Sequence, residues 1–234
     1  MPRLDHDAKM RLARARDEMR DPFLTALTGL LIVLIFVIIP LHAAGTISVH
    51  GYGFFLVILL AACILVQSRQ LTLVIVISIG VSLVVASIVG RVRVESNFDL
   101  YLEASGWLLI ELALIWVVAG AVFAPGRVTY HRINGAVLLY LTIGLAFAGF
   151  FTFVGLLAPQ GFSGLTIAKD PALSSNLIYF SFVTLTSIGY GDIVPVHPMA
   201  RALCNVEGII GQLYPATLLA RLVTLEIQGR ANLR

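Results

Sequence analysis

The chain has 234 residues, of which 59% are hydrophobic and only 12% charged, with a mean hydropathy of +0.94. A soluble domain carries about 25% charged residues and no long uncharged apolar runs, so this composition excludes an ordinary soluble enzyme or binding module and reads as an integral membrane protein. The net charge of +3 is spread along the chain, which argues against a nucleic-acid partner.

Residues 1–22 form a polar arm. Six basic residues before position 21 are interleaved with Asp5, Asp7, Asp17, Glu18 and Asp21, a mixture that suits a solvated cytoplasmic or interfacial segment. The apolar run Phe23–Leu41 is longer than a signal-peptide core and its flank is rich in acids. It is read as a retained membrane helix.

Spanning a bilayer takes about 20 mostly apolar residues. On that length Tyr52–Gln67, Leu71–Gly90, Ser105–Ala124 and Gly135–Leu157 follow as further candidates, and a sixth runs from about Met199 to Leu225. The second is short and joins the third through the polar turn Gln67-Ser68-Arg69-Gln70. Between the fifth and sixth lies Pro171–Thr186, opened by a proline that suits a first helical turn and too short to span. The fold class expected is therefore all-α: six transmembrane helices, with a re-entrant helix and a non-helical segment between the fifth and sixth. The chain divides into the arm 1–22, a four-helix unit 23–125 and a unit 126–234. Basic residues place both termini in the cytoplasm, with Arg91, Arg93, Lys169 and Arg201 left outside. The few residues after the sixth helix are too short for a cytoplasmic ligand-binding domain. Cys63 and Cys204 lie in apolar segments and suit packing, with no disulfide or metal spacing.

Non-helical backbone is tolerated at membrane depth only where it is buried in protein or lines a water-filled cavity. The segment concerned reads Thr184-Leu185-Thr186-Ser187-Ile188-Gly189-Tyr190-Gly191-Asp192. Its two glycines flank a tyrosine and allow backbone conformations that turn successive carbonyls toward one axis. The segment resembles the signature of the potassium-channel family, Thr-x-Thr-Thr-x-Gly-Tyr-Gly-Asp, matching every fixed position except that Ser187 replaces a threonine and keeps its hydroxyl. The likeness extends from about Gly135 to Leu225.

The resemblance implies an ion-binding filter at Thr186, Ser187, Ile188, Gly189, Tyr190 and Gly191, with potassium held at Ser187, Ile188, Gly189 and Tyr190. Tyr179, Phe180, Asp192 and Arg201 then support the filter. Val183 stands where some relatives have a carboxylate behind it, which leaves Asp192 to find other donors, Tyr179 or Arg201. One filter loop per chain requires four chains, so the expected partners are three identical subunits, membrane lipids and potassium, in the plasma membrane. No enzymatic activity and no cofactor other than the permeant ion is expected.

The fourth candidate helix holds no basic residue, whereas a voltage sensor needs a ladder of them. Two carboxylates, Glu111 and Glu207, fall inside membrane segments, where such groups are costly and functional by default; the alternative is a neutral, hydrogen-bonded structural acid. Glu207 lies one turn before Gly211 and can reach Ser181 or Thr184, or act as a proton-sensitive element. With Gly208, Gly211, Gln212 and Pro215 it forms the set of gating candidates, Gly211 matching the family's hinge and Pro215 favouring a kink. His197 is read as a solvated loop residue. The competing functions are a non-selective cation channel with a relaxed filter, a non-conducting accessory subunit, and a membrane enzyme using Glu111, Glu207 and the scattered histidines.

Overall fold

A computed structural model of the chain describes residues 25–46, 71–90, 98–123, 130–168 and 170–231. It is mostly helical. Helix α1 (Thr25–Ala43) is followed by α2 (Leu71–Gly90), α3 (Phe98–Val122), α4 (Tyr130–Leu157), the short strand β1 (Phe162–Ser163), α5 (Pro171–Leu185), β2 (Val194–Pro195) and α6 (Pro198–Ala231). Among the described residues, three helical segments are long and apolar enough to cross a membrane: Thr25–Ala43, Phe98–Gly120 and Ile133–Leu157. The candidate span Tyr52–Gln67, the arm 1–22 and Arg91 and Arg93 lie outside the described residues.

Helices α3 and α1 differ from expectation for physical reasons. Helix α3 begins at Phe98 rather than Ser105, with Asp99 in its first turn, where a carboxylate complements the positive end of the helix dipole. Helix α1 widens into a π-helical turn over Leu34–Ile38. Pro40, two residues beyond the turn, has no N–H to offer Phe36, and the Ile39 amide bonds to Leu34.

The apolar helices pack through two clusters. Leu27, Leu31 and Leu34 of α1 meet Leu114 and Val118 of α3 and Leu138 of α4. Phe147 and Phe151 of α4 meet Phe162, Leu177, Phe180 and Ala200. Interhelical polar contacts add specificity that lipid-like packing alone lacks. Asn134 Nδ2 donates to Thr25 Oγ1 at 3.0 Å, Thr28 Oγ1 donates to the Asn134 carbonyl at 3.2 Å, and Tyr101 donates to the Leu156 carbonyl at 3.0 Å. Helices α2 and α3 approach until a Cβ on Gly106 would sit 2.6 Å from the Gly80 carbonyl oxygen.

The region around α5 is built differently. Asp170 caps the helix by accepting from the Ala172 amide at 2.9 Å, and Pro171 occupies the first turn. At 15 residues the helix reaches only about 22 Å, short of the roughly 30 Å of a hydrocarbon core. Strands β1 and β2 pair antiparallel, Phe162 opposite Pro195 and Ser163 opposite Val194. This small clamp ties the loop before α5 to the loop after it, helped by the Val196 and His197 amides, which both donate to the Gly161 carbonyl. Helix α6 has 34 residues, about 51 Å. It therefore runs well past a bilayer core and beyond the expected end near Leu225.

Candidate functional site

The segment after α5 departs from helix at Thr186 and is held from behind by the helix it leaves. The Thr186 amide donates to Phe182, that of Ser187 to Thr184, and those of Ile188 and Gly189 both to the Val183 carbonyl, at 3.0–3.3 Å. Thr186 Oγ1 also donates to the Phe182 carbonyl at 2.6 Å. The carbonyls of Phe182, Val183 and Thr184 at the end of α5, where helical partners run out, are thus satisfied by the amides of the segment, and its base is fixed.

Backbone hand alternates above that base. Ser187, Gly189 and Gly191 have φ of 58°, 59° and 83°, while Ile188 and Tyr190 between them do not enter the positive region. Alternation of right- and left-handed residues lines up successive N–H groups on one side of the chain. Because N–H and C=O point oppositely across each planar trans peptide, it lines up the carbonyls on the other. Such a row of carbonyls can replace the water shell of a cation. Ile188 and Tyr190 are 55% and 70% exposed in the single chain, so the chain leaves the side of this segment uncovered.

A family profile described as an ion channel matches residues 139–227, which spans α4 from its third turn, α5, the alternating segment and most of α6. Protein LctB of Bacillus caldotenax is 30% identical over 122 residues, covering 50% of this chain and 87% of that protein. Protein LctB of Geobacillus stearothermophilus is 29% identical over the same shares. This chain belongs to the ion channel family. No solved structure matches it.

Within the channel domain the expected supporting residues separate. Tyr179 stacks on Tyr190, ring centroids 6.3 Å apart and planes 7° from parallel, and its side chain interacts with that of Asp192. Of the two donors expected for Asp192, Tyr179 is the one whose side chain lies beside it. Arg201 is not: its Nε donates to the Pro195 carbonyl at 3.1 Å, holding β2 to the start of α6. Phe180 also turns away from the segment. It is buried against Phe151 and Phe162 at 4.9 and 5.5 Å, so any support it lends is through the seating of α5 on α4.

The gating candidates on α6 divide in the same way. The helix continues unbroken through Gly211 and Pro215. Gly211 packs so closely on the end of α5 that a Cβ there would collide with the Leu185 carbonyl oxygen, a contact role that the hinge expectation did not include. Gly208 and Gln212 line an open cavity with Ser187 and Cys204, and Gln212 Nε2 donates to Ser187 Oγ at 2.9 Å. Glu207 is fully buried, and of the two partners expected for it the structure selects Ser181, whose Oγ lies 2.5 Å from Glu207 Oε1. The other membrane carboxylate, Glu111, is buried in α3 and does not join this site.

Three contacts had no clear signal in the sequence. Tyr214 stacks on Tyr140 and donates to the Ala136 carbonyl at 2.8 Å, pinning α6 to α4. Arg221 donates to the Phe123 carbonyl at 2.8 Å with its guanidinium 5.0 Å above the Phe123 ring, joining α6 to the end of α3. His197 is no free loop residue: its Nδ1 accepts from the Met199 amide at 3.2 Å and caps α6. An aromatic or a histidine offers no periodicity that announces such pairings.

Proposed function

We propose that the chain is one subunit of a homotetrameric, potassium-selective channel of the cell membrane, with both termini cytoplasmic. The observation that carries this reading is the alternating backbone of Ser187–Gly191, hung from the C-terminus of a helix too short to span a bilayer. In this reading α5 is a re-entrant pore helix between the fifth and sixth of six spanning helices. Thr186 to Gly191 are the filter, and four copies supply rings of carbonyl oxygens to dehydrated potassium. The negative end of α5 points its dipole at the base of the filter, which favours a cation there.

Tetramerisation is supported by the exposure of Ile188 and Tyr190 together with Val206, Ile209, Leu213 and Leu219 of α6. A single chain leaves these apolar side chains exposed, and three more copies around an axis would cover them. Potassium is the permeant substrate.

The test is purified protein in liposomes with potassium and sodium on opposite sides. A reversal potential set by potassium supports the reading. One near zero in equal gradients identifies a non-selective cation channel, and absence of any flux removes conduction altogether. Native mass measurement in nanodiscs should give four subunits.

A further inference from the structure

Three helices meet at one hydroxyl. Ser181 Oγ on α5 lies 2.6 Å from the Gly144 carbonyl oxygen on α4 and 2.5 Å from Glu207 Oε1 on α6. Ser181 and Glu207 are both fully buried. A serine hydroxyl has one proton to donate, a carbonyl oxygen has none, and an ionised carboxylate is acceptor-only. If Glu207 were ionised, the single Ser181 proton could satisfy one neighbour, and the other would face a lone pair at the same short distance. Both contacts are hydrogen bonds together only when the acid supplies the second proton.

The second Glu207 oxygen gives the same answer independently. Oε2 is buried and has no partner among the described residues. For a charged carboxylate this would be a buried, half-solvated anion, which is expensive. For a neutral acid it is one unpaired carbonyl oxygen, a far smaller cost. No cation compensates: no Lys or Arg among the described residues acts on Glu207. The titratable groups coupled to it are Tyr140 on α4 and Cys204 on α6 itself, and α5 presents the Ser181 hydroxyl. Tyrosine and cysteine are ordinarily neutral below about pH 8, so neither stabilises an anion.

We propose that Glu207 carries a proton and donates it to Ser181, which donates in turn to Gly144, so that a proton-dependent chain seats α5 between α4 and α6. The proton balance is simple: Glu207 Oε1–H to Ser181 Oγ, and Ser181 Oγ–H to Gly144 O. Removal of the acid's proton leaves an anion that claims the Ser181 proton, releases the Gly144 carbonyl and removes the hydrogen bond that joins α5 to α4 at this point. Since the amides of Ser187, Ile188 and Gly189 hang from the last turn of α5, the loss is transmitted to the filter. Glu207 is a positioning residue, acting on the permeant ion through α5. Its functional consequence rests on the channel reading above; the location of the proton does not.

The test has two arms that fail separately. Infrared spectra of purified wild type, Glu207→Gln and Glu111→Gln are compared from neutral to alkaline pH. A protonated-carboxyl band present in wild type and Glu111→Gln but absent from Glu207→Gln supports the proposal, and its absence from wild type at neutral pH overturns it. In liposomes, wild-type potassium flux should fall on alkalinisation, by about tenfold per pH unit once the acid has titrated. Glu207→Gln, which keeps a donor to Ser181, should conduct without that fall. A Glu207→Gln profile that tracks wild type overturns the switch. Flux missing from every variant counts against the channel reading, and the infrared arm still decides the proton.

Discussion

Gln212 on α6 donates its amide N–H to the hydroxyl of Ser187 across 2.9 Å, linking that helix to the first left-handed residue of the segment after α5. Ser187 is the one non-glycine at positive φ among the described residues, a conformation uncommon for residues with a side chain. The bond holds it there from the cavity side, while its amide is held from behind by Thr184.

This pairing predicts a coupled effect. Gln212→Leu and Ser187→Ala should each destabilise the assembled protein by about 1 kcal/mol per subunit, the net worth of one neutral hydrogen bond. The double variant should cost little more than either alone. A double-mutant cycle on thermal stability and on potassium-over-sodium selectivity checks it, and full additivity would show that the contact carries no energy.

Gly189 and Gly191 have φ of 59° and 83°, and a Cβ added at either would meet no atom of its own chain within 4 Å. Alanine therefore acts through backbone strain, about 1–2 kcal/mol per residue, repeated in each subunit. Gly189→Ala or Gly191→Ala should abolish or degrade selectivity while leaving helical content unchanged. Reversal potentials together with circular dichroism separate the two effects.

Gly211 is limited by space instead. Its Cβ would meet the Leu185 carbonyl oxygen, itself in a fully buried residue. Gly211→Ala must push α6 away from α5, an overpacking cost of about 1–3 kcal/mol. The expected result is lowered thermal stability of the purified protein, whatever its effect on gating. Unchanged stability would mean that α6 slides at little cost.

Arg221 holds the far end of α6 to α3 through the Phe123 carbonyl and ring. Phe123→Leu retains the carbonyl and removes only the ring, worth about 0.5–1 kcal/mol at an exposed site. Its effect on open probability should be a few-fold and smaller than that of Arg221→Gln. Single-channel recording of both variants measures the difference, and equal effects would assign all the coupling to the ring.

Helix α3, Phe98–Val122, contains no Lys or Arg. Each gating charge crossing the field contributes about 2.3 kcal/mol per 100 mV, so open probability should change little over such a range. Steep activation equivalent to several charges would refute this.

The site was legible wherever chemistry is written in consecutive residues. Thr184–Asp192 identifies itself because a Gly-Tyr-Gly run after a short apolar helix needs a special backbone, and φ alternates there as that need requires. Supporting residues were less legible, since the same residue types serve several partners. Arg201 reaches a backbone carbonyl and Phe180 an aromatic cluster, choices made by the strand clamp and by the crossing of α4 with α5.

Composition, apolar run lengths and one nine-residue motif were enough to determine a helical membrane protein of the ion channel family, because hydrophobic length and backbone permissiveness are local properties. What the tertiary structure alone decided is which polar groups meet and which surfaces touch. The sequence offered Glu207 both Ser181 and Thr184, and gave no sign of Gly144, which lies 37 residues from Ser181 along the chain; packing chose Ser181 and brought all three helices to its hydroxyl. Buried polar groups take their roles from their neighbours, and neighbours are set by packing.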